Sequence, residues 1–177
     1  MSDHKEDFCC NGSDCCTPAP EKKKLIIDFL YLDLSVCERC RGTDSNLDDV
    51  ISDVSSVLTS AGYNAVVNKV NITSAALAEK YAFMSSPTIR INGKDIEADV
   101  TESNCTDCGD LCGDSVDCRI FRYEGADYDS PPKAMIINAI LREVYGSKPE
   151  PAKTERSYVL PENLRLFFES QSQKNDR

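Results

Sequence analysis

Cysteine is the residue type that offers the most chemistry in this 177-residue chain, which contains ten cysteines and one histidine. The cysteines form three groups: Cys9, Cys10, Cys15 and Cys16; Cys37 and Cys40; and Cys105, Cys108, Cys112 and Cys118. Because the charged start of the chain is not typical of a secretory signal, the thiols are expected to stay reduced, and reduced cysteines are more often redox-active or metal-binding than structural. The lone His4 leaves little basis for Ser/His or Cys/His catalysis.

The middle group, Cys37-x-x-Cys40, stands between an apolar run and an amphipathic pattern, where a strand would lead into a helix. Two intervening residues in the first helical turn let the sulfurs approach disulfide distance, and the unpaired N–H groups and positive dipole end of the helix stabilise a thiolate. We therefore expect Cys37 to be an exposed nucleophile and Cys40 to be the resolving thiol. Exchange would run through a mixed disulfide on Cys37.

The last group lies in a stretch poor in core residues and has the spacing Cys105-x2-Cys108-x3-Cys112-x5-Cys118. Four thiolates this close could bind Zn²⁺ or a metalloid, although the spacing differs from two Cys-x-x-Cys knuckles separated by a long loop. A redox relay to the Cys37 pair, or structural disulfides and unpaired thiols, fits the spacing equally well. Because a hairpin returns the chain to the end of the sheet where it began, we expect this segment to overhang Cys37.

The first group consists of two adjacent pairs, Cys9-Cys10 and Cys15-Cys16, in a polar leader. Adjacent cysteines seldom bridge each other without strain, but two such pairs on a tether could supply soft thiolate ligands to Cu(I), Hg(II) or As(III). They could also carry electrons to Cys37, or be incidental thiols of an unstructured segment.

Hydrophobic periodicity predicts seven elements between about Lys24 and Gly146. They are a strand at 25–32, a helix with apolar positions from Leu47 to Leu58 that ends near Gly62, a strand at 63–70, a short helix at 73–81, two hairpin strands at 88–91 and 94–97, and a helix with apolar positions from Ile137 to Val144. The first strand, rich in β-branched and aromatic residues, is expected to be buried on both faces. Asn92 and Gly93 accept the positive φ angles of a tight hairpin turn.

Composition divides the chain into three parts. Residues 1–23 are predicted to be a flexible, cysteine-rich leader, and residues 24–146 form one domain with an insertion at about 100–128. Residues 147–177 read as a linker and a short C-terminal helix, in which Leu164, Phe167 and Phe168 form an apolar stripe. That stripe is expected to dock on its own domain or, alternatively, to bind a partner.

A cysteine pair in a strand-to-helix turn, the β-α-β-α-β-β-α order, and Ser86-Pro87 before the third strand together resemble a thioredoxin-like domain. The resemblance is closest to a thioredoxin-like family labelled a domain of unknown function. It implies an α/β, thioredoxin-like fold with a Cys-rich insertion before the last helix, a cis Pro87 that faces the cysteines, and catalytic roles for Cys37, Cys40 and Pro87. Glu38 and Arg39 stand where thioredoxin itself has Gly-Pro, and the chain contains no Trp.

The charge and hydropathy of the chain exclude several partners. With 20 Lys and Arg against 30 Asp and Glu, the net charge is −10, which disfavours a nucleic-acid binder because phosphate contacts need clustered basic residues. No apolar run approaches the roughly 20 residues of a membrane span. We therefore expect a cytoplasmic protein, and the sequence does not indicate an oligomeric state.

The cysteines lead to two function hypotheses. The first is a thiol–disulfide oxidoreductase that needs no cofactor, acts on a protein or small-molecule disulfide, and uses the additional cysteines as a relay. The alternative is a thiol-rich carrier or sensor that binds Hg, As, Cu or Zn ions.

Overall fold

The computed structural model describes residues 21–105, 116–146 and 158–175, which form a mixed α/β structure. Its elements are β1 (Lys23–Tyr31), α1 (Glu38–Ser60), β2 (Tyr63–Asn71), α2 (Ala75–Lys80), β3 (Thr88–Ile91), β4 (Lys94–Asp95), β5 (Thr101–Cys105), β6 (Val116–Tyr123), β7 (Ala126–Tyr128), α3 (Lys133–Tyr145) and α4 (Glu162–Asn175). The seven elements predicted between residues 24 and 146 are present in the predicted order. Strands β5, β6 and β7, which were not predicted, lie between the hairpin and α3.

The first sheet has the strand order β2-β1-β3-β4. Strands β1 and β2 are parallel over nine residues, from Lys23 opposite Tyr63 to Tyr31 opposite Asn71, with α1 as the connection between them. Strands β3 and β4 are antiparallel to their neighbours. Their turn has φ angles of 49° at Asn92 and 79° at Gly93, which confirms the predicted Asn-Gly hairpin.

Side chains on opposite faces of β1 enter two hydrophobic cores. One core lies between the sheet and the helices α1 and α3, and its buried residues are Leu25, Ile27, Phe29, Leu47, Val50, Val54, Leu58, Ile89, Ile91, Ile136 and Ile140. On the other face, Leu30 is buried but Ile26 is 41% exposed. The prediction that this strand is buried on both faces is therefore wrong for its first half, because the second core covers only the C-terminal end of β1.

The second core contains the cysteines of the described residues. It joins β1, α2, the β5–β6 pair and α4 through Leu30, Leu32, Cys37, Cys40, Ile72, Ala78, Phe83, Cys105, Val116, Cys118, Leu164, Phe167 and Phe168. The apolar stripe of α4 thus packs on its own domain, which is the first of the two arrangements predicted for it.

Among the described residues, no helix combines the length and apolar character that crossing a membrane requires.

Strands β5, β6 and β7 form a second, antiparallel sheet that a buried arginine ties to the first. The Arg119 side chain is fully buried in β6, and its guanidinium donates two hydrogen bonds to the Asp95 carboxylate, at 2.8 and 2.9 Å. It also donates to Thr88 Oγ1 at 3.1 Å and to the Glu97 carbonyl at 2.8 Å. The Arg119 backbone N–H donates to the Ser86 carbonyl at 2.8 Å, so both its backbone and its side chain hold β6 against the first sheet.

We expect Arg119→Met to lower the free energy of unfolding by roughly 3–5 kcal/mol, because it leaves the largely buried Asp95 carboxylate without its partner. Urea unfolding followed by circular dichroism measures the loss. Arg122→Met is the matched control: Arg122 pairs with Asp127 on the surface, where both side chains are more than half exposed, and its loss should stay within about 0.5 kcal/mol. Equal losses in the two variants would contradict the anchoring role of Arg119.

Candidate functional site

Cys37 lies at the N-terminus of α1, as the sequence predicts. It is the N-cap residue, with φ −74° and ψ 109°, and its Sγ accepts a hydrogen bond from the Cys40 N–H at 3.3 Å. The preceding loop is held by Asp33, whose Oδ1 accepts from the N–H groups of Ser35 and Val36 at 2.5 and 3.0 Å. The helix therefore begins at the cysteine pair itself, well before the apolar periodicity that starts at Leu47.

The exposed nucleophile expected at Cys37 is a wrong prediction, because this side chain is 0% exposed. The physical reason is the β5–β6 pair, whose cysteines lie against Cys37 and belong to the same hydrophobic core. The position at a helix N-terminus is thus combined with full burial, a combination that the spacing of the sequence motif does not reveal.

Three sulfur atoms converge in this buried space. The Sγ atoms of Cys37, Cys105 and Cys118 all lie within 4.8 Å of one another, and we call these residues the three-thiol cluster. Cys105 is 4% exposed and Cys118 is fully buried. The expected overhang of Cys37 is therefore confirmed for the first and last cysteines of the group, and the cluster could hold a metal ion. Cys108 and Cys112 lie outside the described residues, as do the leader cysteines Cys9, Cys10, Cys15 and Cys16.

The register of β5 and β6 puts Cys105 and Cys118 on one face of the second sheet. Cys105 is opposite Val116, and Cys118 is opposite Ser103, so the two cysteines are diagonal neighbours two positions apart. Side chains alternate between the faces of a strand, so both sulfurs point to the same side. Arg119, the next residue along β6, points to the other side and reaches Asp95.

Cys40 is the fourth buried thiol and has a different environment. Its Sγ lies 3.3 Å from Ser86 Oγ, and it is not a member of the three-thiol cluster. Its hydrogen bond to Cys37 and its burial raise the pKa of the Cys40 thiol far above its ordinary value, so this thiol stays protonated. No disulfide joins any of these four cysteines to another.

Pro87 follows Ser86, the residue whose hydroxyl contacts Cys40. Pro87 is buried and follows a cis Ser86–Pro87 peptide bond, as the resemblance implied. The Ser86 hydroxyl next to it accepts a hydrogen bond from the Leu32 N–H at 3.1 Å, besides its contact with Cys40. Ser86 thus precedes Pro87 in the chain and contacts Cys40, whose backbone N–H donates to Cys37.

Arg39 fixes the strand pair over the start of α1, a role that the sequence analysis missed. Its guanidinium donates to the carbonyl oxygens of Cys118, Asn104 and Ser103 at 3.2, 3.4 and 3.5 Å. It also forms a 2.9 Å ion pair with Asp129. Since Arg39 is next but one to Cys37 in the chain, this contact sets the distance between the helix cysteine and the two strand cysteines.

The arrangement has two chemical capacities. Three converging sulfurs can act together as soft ligands, because thiolates prefer ions such as Zn(II), Cu(I) and other thiophilic species. A cysteine at a helix N-terminus with a second thiol in hydrogen-bond contact can alternatively exchange disulfides. Cys37 takes part in both.

The chain belongs to a protein family described as Domain of unknown function (DUF2703), whose model matches residues 25–140. The matched stretch runs from β1 into α3 and includes all four buried cysteines. Nothing among curated proteins or solved structures matches the chain.

We expect Arg39→Met to loosen the β5–β6 pair over α1, because it removes charge-assisted hydrogen bonds to three carbonyls. Amide hydrogen exchange at Ser103–Cys105 and at Val116–Cys118 should become at least several-fold faster. Arg41→Met is the control on the same helix, since the half-exposed Arg41 donates to the Ser35 carbonyl and pairs with Glu38. Equal exchange rates in the two variants would show that Arg39 does not position the strand cysteines.

Proposed function

We propose that this chain is a thiol-rich binding protein, a carrier or sensor, which binds a soft metal or metalloid ion through Cys37, Cys105 and Cys118. The observation that carries the proposal is the convergence of these three sulfur atoms within 4.8 Å. A reducing compartment such as the cytoplasm would keep the thiols available for an ion.

The distances fit coordination. An ion bound to three sulfurs at roughly 2.3 Å holds those sulfurs no more than about 4 Å apart. The three-thiol cluster needs a contraction of less than 1 Å to reach that spacing, which side-chain rotations supply. Its three members come from α1, β5 and β6, elements already fixed to one another by Arg39 and Arg119.

The strand register favours an ion over a direct bridge between Cys105 and Cys118. Diagonal neighbours in an antiparallel pair have their Cα atoms about 7–8 Å apart, whereas a disulfide requires about 4.4–6.8 Å. A bridge between them would therefore require the backbone to move, while an ion between the sulfurs would not.

We also propose that the domain is thioredoxin-like. The supporting features are the parallel β1-α1-β2 unit, the antiparallel β3–β4 hairpin beside β1, and the final helix α3 packed on the same face as α1. Strands β5 to β7 would then be the insertion expected at about 100–128, and this insertion supplies two of the three proposed ligands.

Ion binding is tested in the full chain carrying Cys9→Ser, Cys10→Ser, Cys15→Ser, Cys16→Ser, Cys108→Ser and Cys112→Ser, which we call the four-thiol variant. We expect it to bind one Cd(II) per chain, and the ultraviolet thiolate-to-metal charge-transfer band measures this binding. Cys105→Ser in this background should weaken binding by at least about 10-fold, since even changes outside the ligand set cost 10- to 100-fold. Thr101→Ser on the same strand is the control. A Cd(II) affinity that Cys105→Ser leaves unchanged would refute the proposed site.

The second candidate function is thiol–disulfide exchange, with Cys37 attacking, Cys40 resolving and Pro87 shaping the substrate groove. It is favoured by the N-cap position of Cys37 and by the hydrogen bond from the Cys40 N–H, which stabilises a thiolate on Cys37. The full burial of Cys37 weighs against it, because a nucleophile must reach its disulfide. Burial limits access to Cys37 more strongly for a disulfide in a protein substrate than for a small-molecule disulfide.

The exchange reaction predicts that the four-thiol variant accelerates the reduction of a small disulfide by dithiothreitol. Cys37→Ser should abolish the acceleration, because it removes the attacking sulfur. The measurement is the initial rate against dithiothreitol alone, with circular dichroism as the check that the variant is folded. A rate no higher than that of dithiothreitol alone eliminates this second candidate.

A further inference from the structure

The burial of the three-thiol cluster opposes net charge. Its members are at most 4% exposed, and they pack in one core with Leu30, Phe83 and the apolar side chains of α4. Taking an uncompensated charge from water into such surroundings is costly, unless an opposite charge accompanies it. The charge of the ion therefore decides how well its three-thiolate complex fits this core.

The arginines that contact or adjoin Cys118 are already paired with carboxylates. Arg39 donates to the Cys118 carbonyl and forms its ion pair with Asp129. Arg119 lies on the opposite face of β6 and is bound by Asp95 through two hydrogen bonds. Neither guanidinium supplies an unpaired positive charge to balance an anionic complex between the sulfurs.

Charge balance then separates the classes of soft ion. Three thiolates around a monovalent ion leave a charge of −2, and around a divalent ion a charge of −1. Around a trivalent ion the complex is neutral.

We infer that the preferred ligand of Cys37, Cys105 and Cys118 is a trivalent thiophilic metalloid, taken up as its neutral hydroxide. This inference rests on the proposed function and names the class of ion. For arsenite, one arsenous acid, As(OH)₃, reacts with three thiols. Three As–S bonds form, three As–O bonds break, each hydroxide leaves with one thiol proton as water, and the oxidation state of arsenic is unchanged.

The first test titrates the four-thiol variant with arsenite and with Cd(II), each in competition with dithiothreitol. Native mass spectrometry should show one arsenic per chain with the loss of three protons. The affinity of the protein divided by that of dithiothreitol should be at least about 10-fold higher for arsenite than for Cd(II). Cys105→Ser and Cys118→Ser should each weaken arsenite binding at least about 10-fold. Arsenite binding that is unaffected by both changes would mean capture by Cys37 and Cys40 alone and would overturn the inference.

The second test changes the charge beside the site without touching a ligand. Asp129→Asn unpairs the Arg39 guanidinium, and Asp129 is 71% exposed, so folding should tolerate the change. The freed charge should strengthen Cd(II) binding by about 3- to 10-fold and leave arsenite binding within about 2-fold, because only the Cd(II) complex is anionic. Asp127→Asn, which unpairs the surface Arg122, is the control. An equal effect on the two ions would contradict the charge argument.

The outcomes separate the two levels of inference. Cd(II) binding that depends on Cys105, without arsenite binding, overturns the trivalent preference and leaves the proposed function intact. Failure of both ions to bind overturns both. Arsenite binding that requires both Cys105 and Cys118 supports both.

Discussion

The buried ion pair between Arg119 and Asp95 is the interaction on which the site depends, because it joins two sheets that share no strand. Strand β6 carries Cys118 on one face and Arg119 on the other, so fixing the arginine fixes the sulfur. A hydrophobic contact could hold the sheets together, but it is non-directional and leaves the strand free to slide. Two parallel hydrogen bonds between a guanidinium and a carboxylate specify one position along the strand.

Arg39 performs the complementary task at the other side of the cluster. It links the first turn of α1 to backbone carbonyls of both β5 and β6, rather than to side chains. Backbone carbonyls move with their strands, so this contact defines the height of the strand pair above Cys37. Together the two arginines determine three sulfur positions from three separate elements. Arg39 is paired with Asp129 and Arg119 with Asp95, so neither arginine brings an unpaired charge to the core around the sulfurs.

Much of the fold could be predicted from local sequence pattern, and the parts that could not depend on tertiary contacts. The Asn92-Gly93 turn and the amphipathic α1 follow from backbone preference and periodicity. Strands β5 to β7 were missed because the cysteine-rich composition suggested an irregular insertion. The Val116–Tyr123 alternation and the Glu124-Gly125 turn, with φ angles of 51° and 81°, were signals that could have revealed a hairpin.

The site also combines features that follow from the sequence with features that depend on tertiary contacts. The position of Cys37 at a helix N-terminus and the return of Cys105 and Cys118 toward it follow from spacing and topology. The burial of Cys37 does not, because it is created by residues far along the chain. The same holds for Arg39 and its backbone partners, since no spacing rule identifies which carbonyls an arginine will reach.

Cys37 belongs both to the three-thiol cluster and to the pair with Cys40, and one sulfur cannot serve both at once. An ion held by Cys37, Cys105 and Cys118 withdraws the nucleophile of the pair, whereas a Cys37–Cys40 disulfide removes one of the three ligands. Binding to one state alone stabilises that state by mass action. Ion binding at the three-thiol cluster would therefore favour the reduced pair, and oxidation of the pair would favour release of the ion, by the same coupling free energy in both directions.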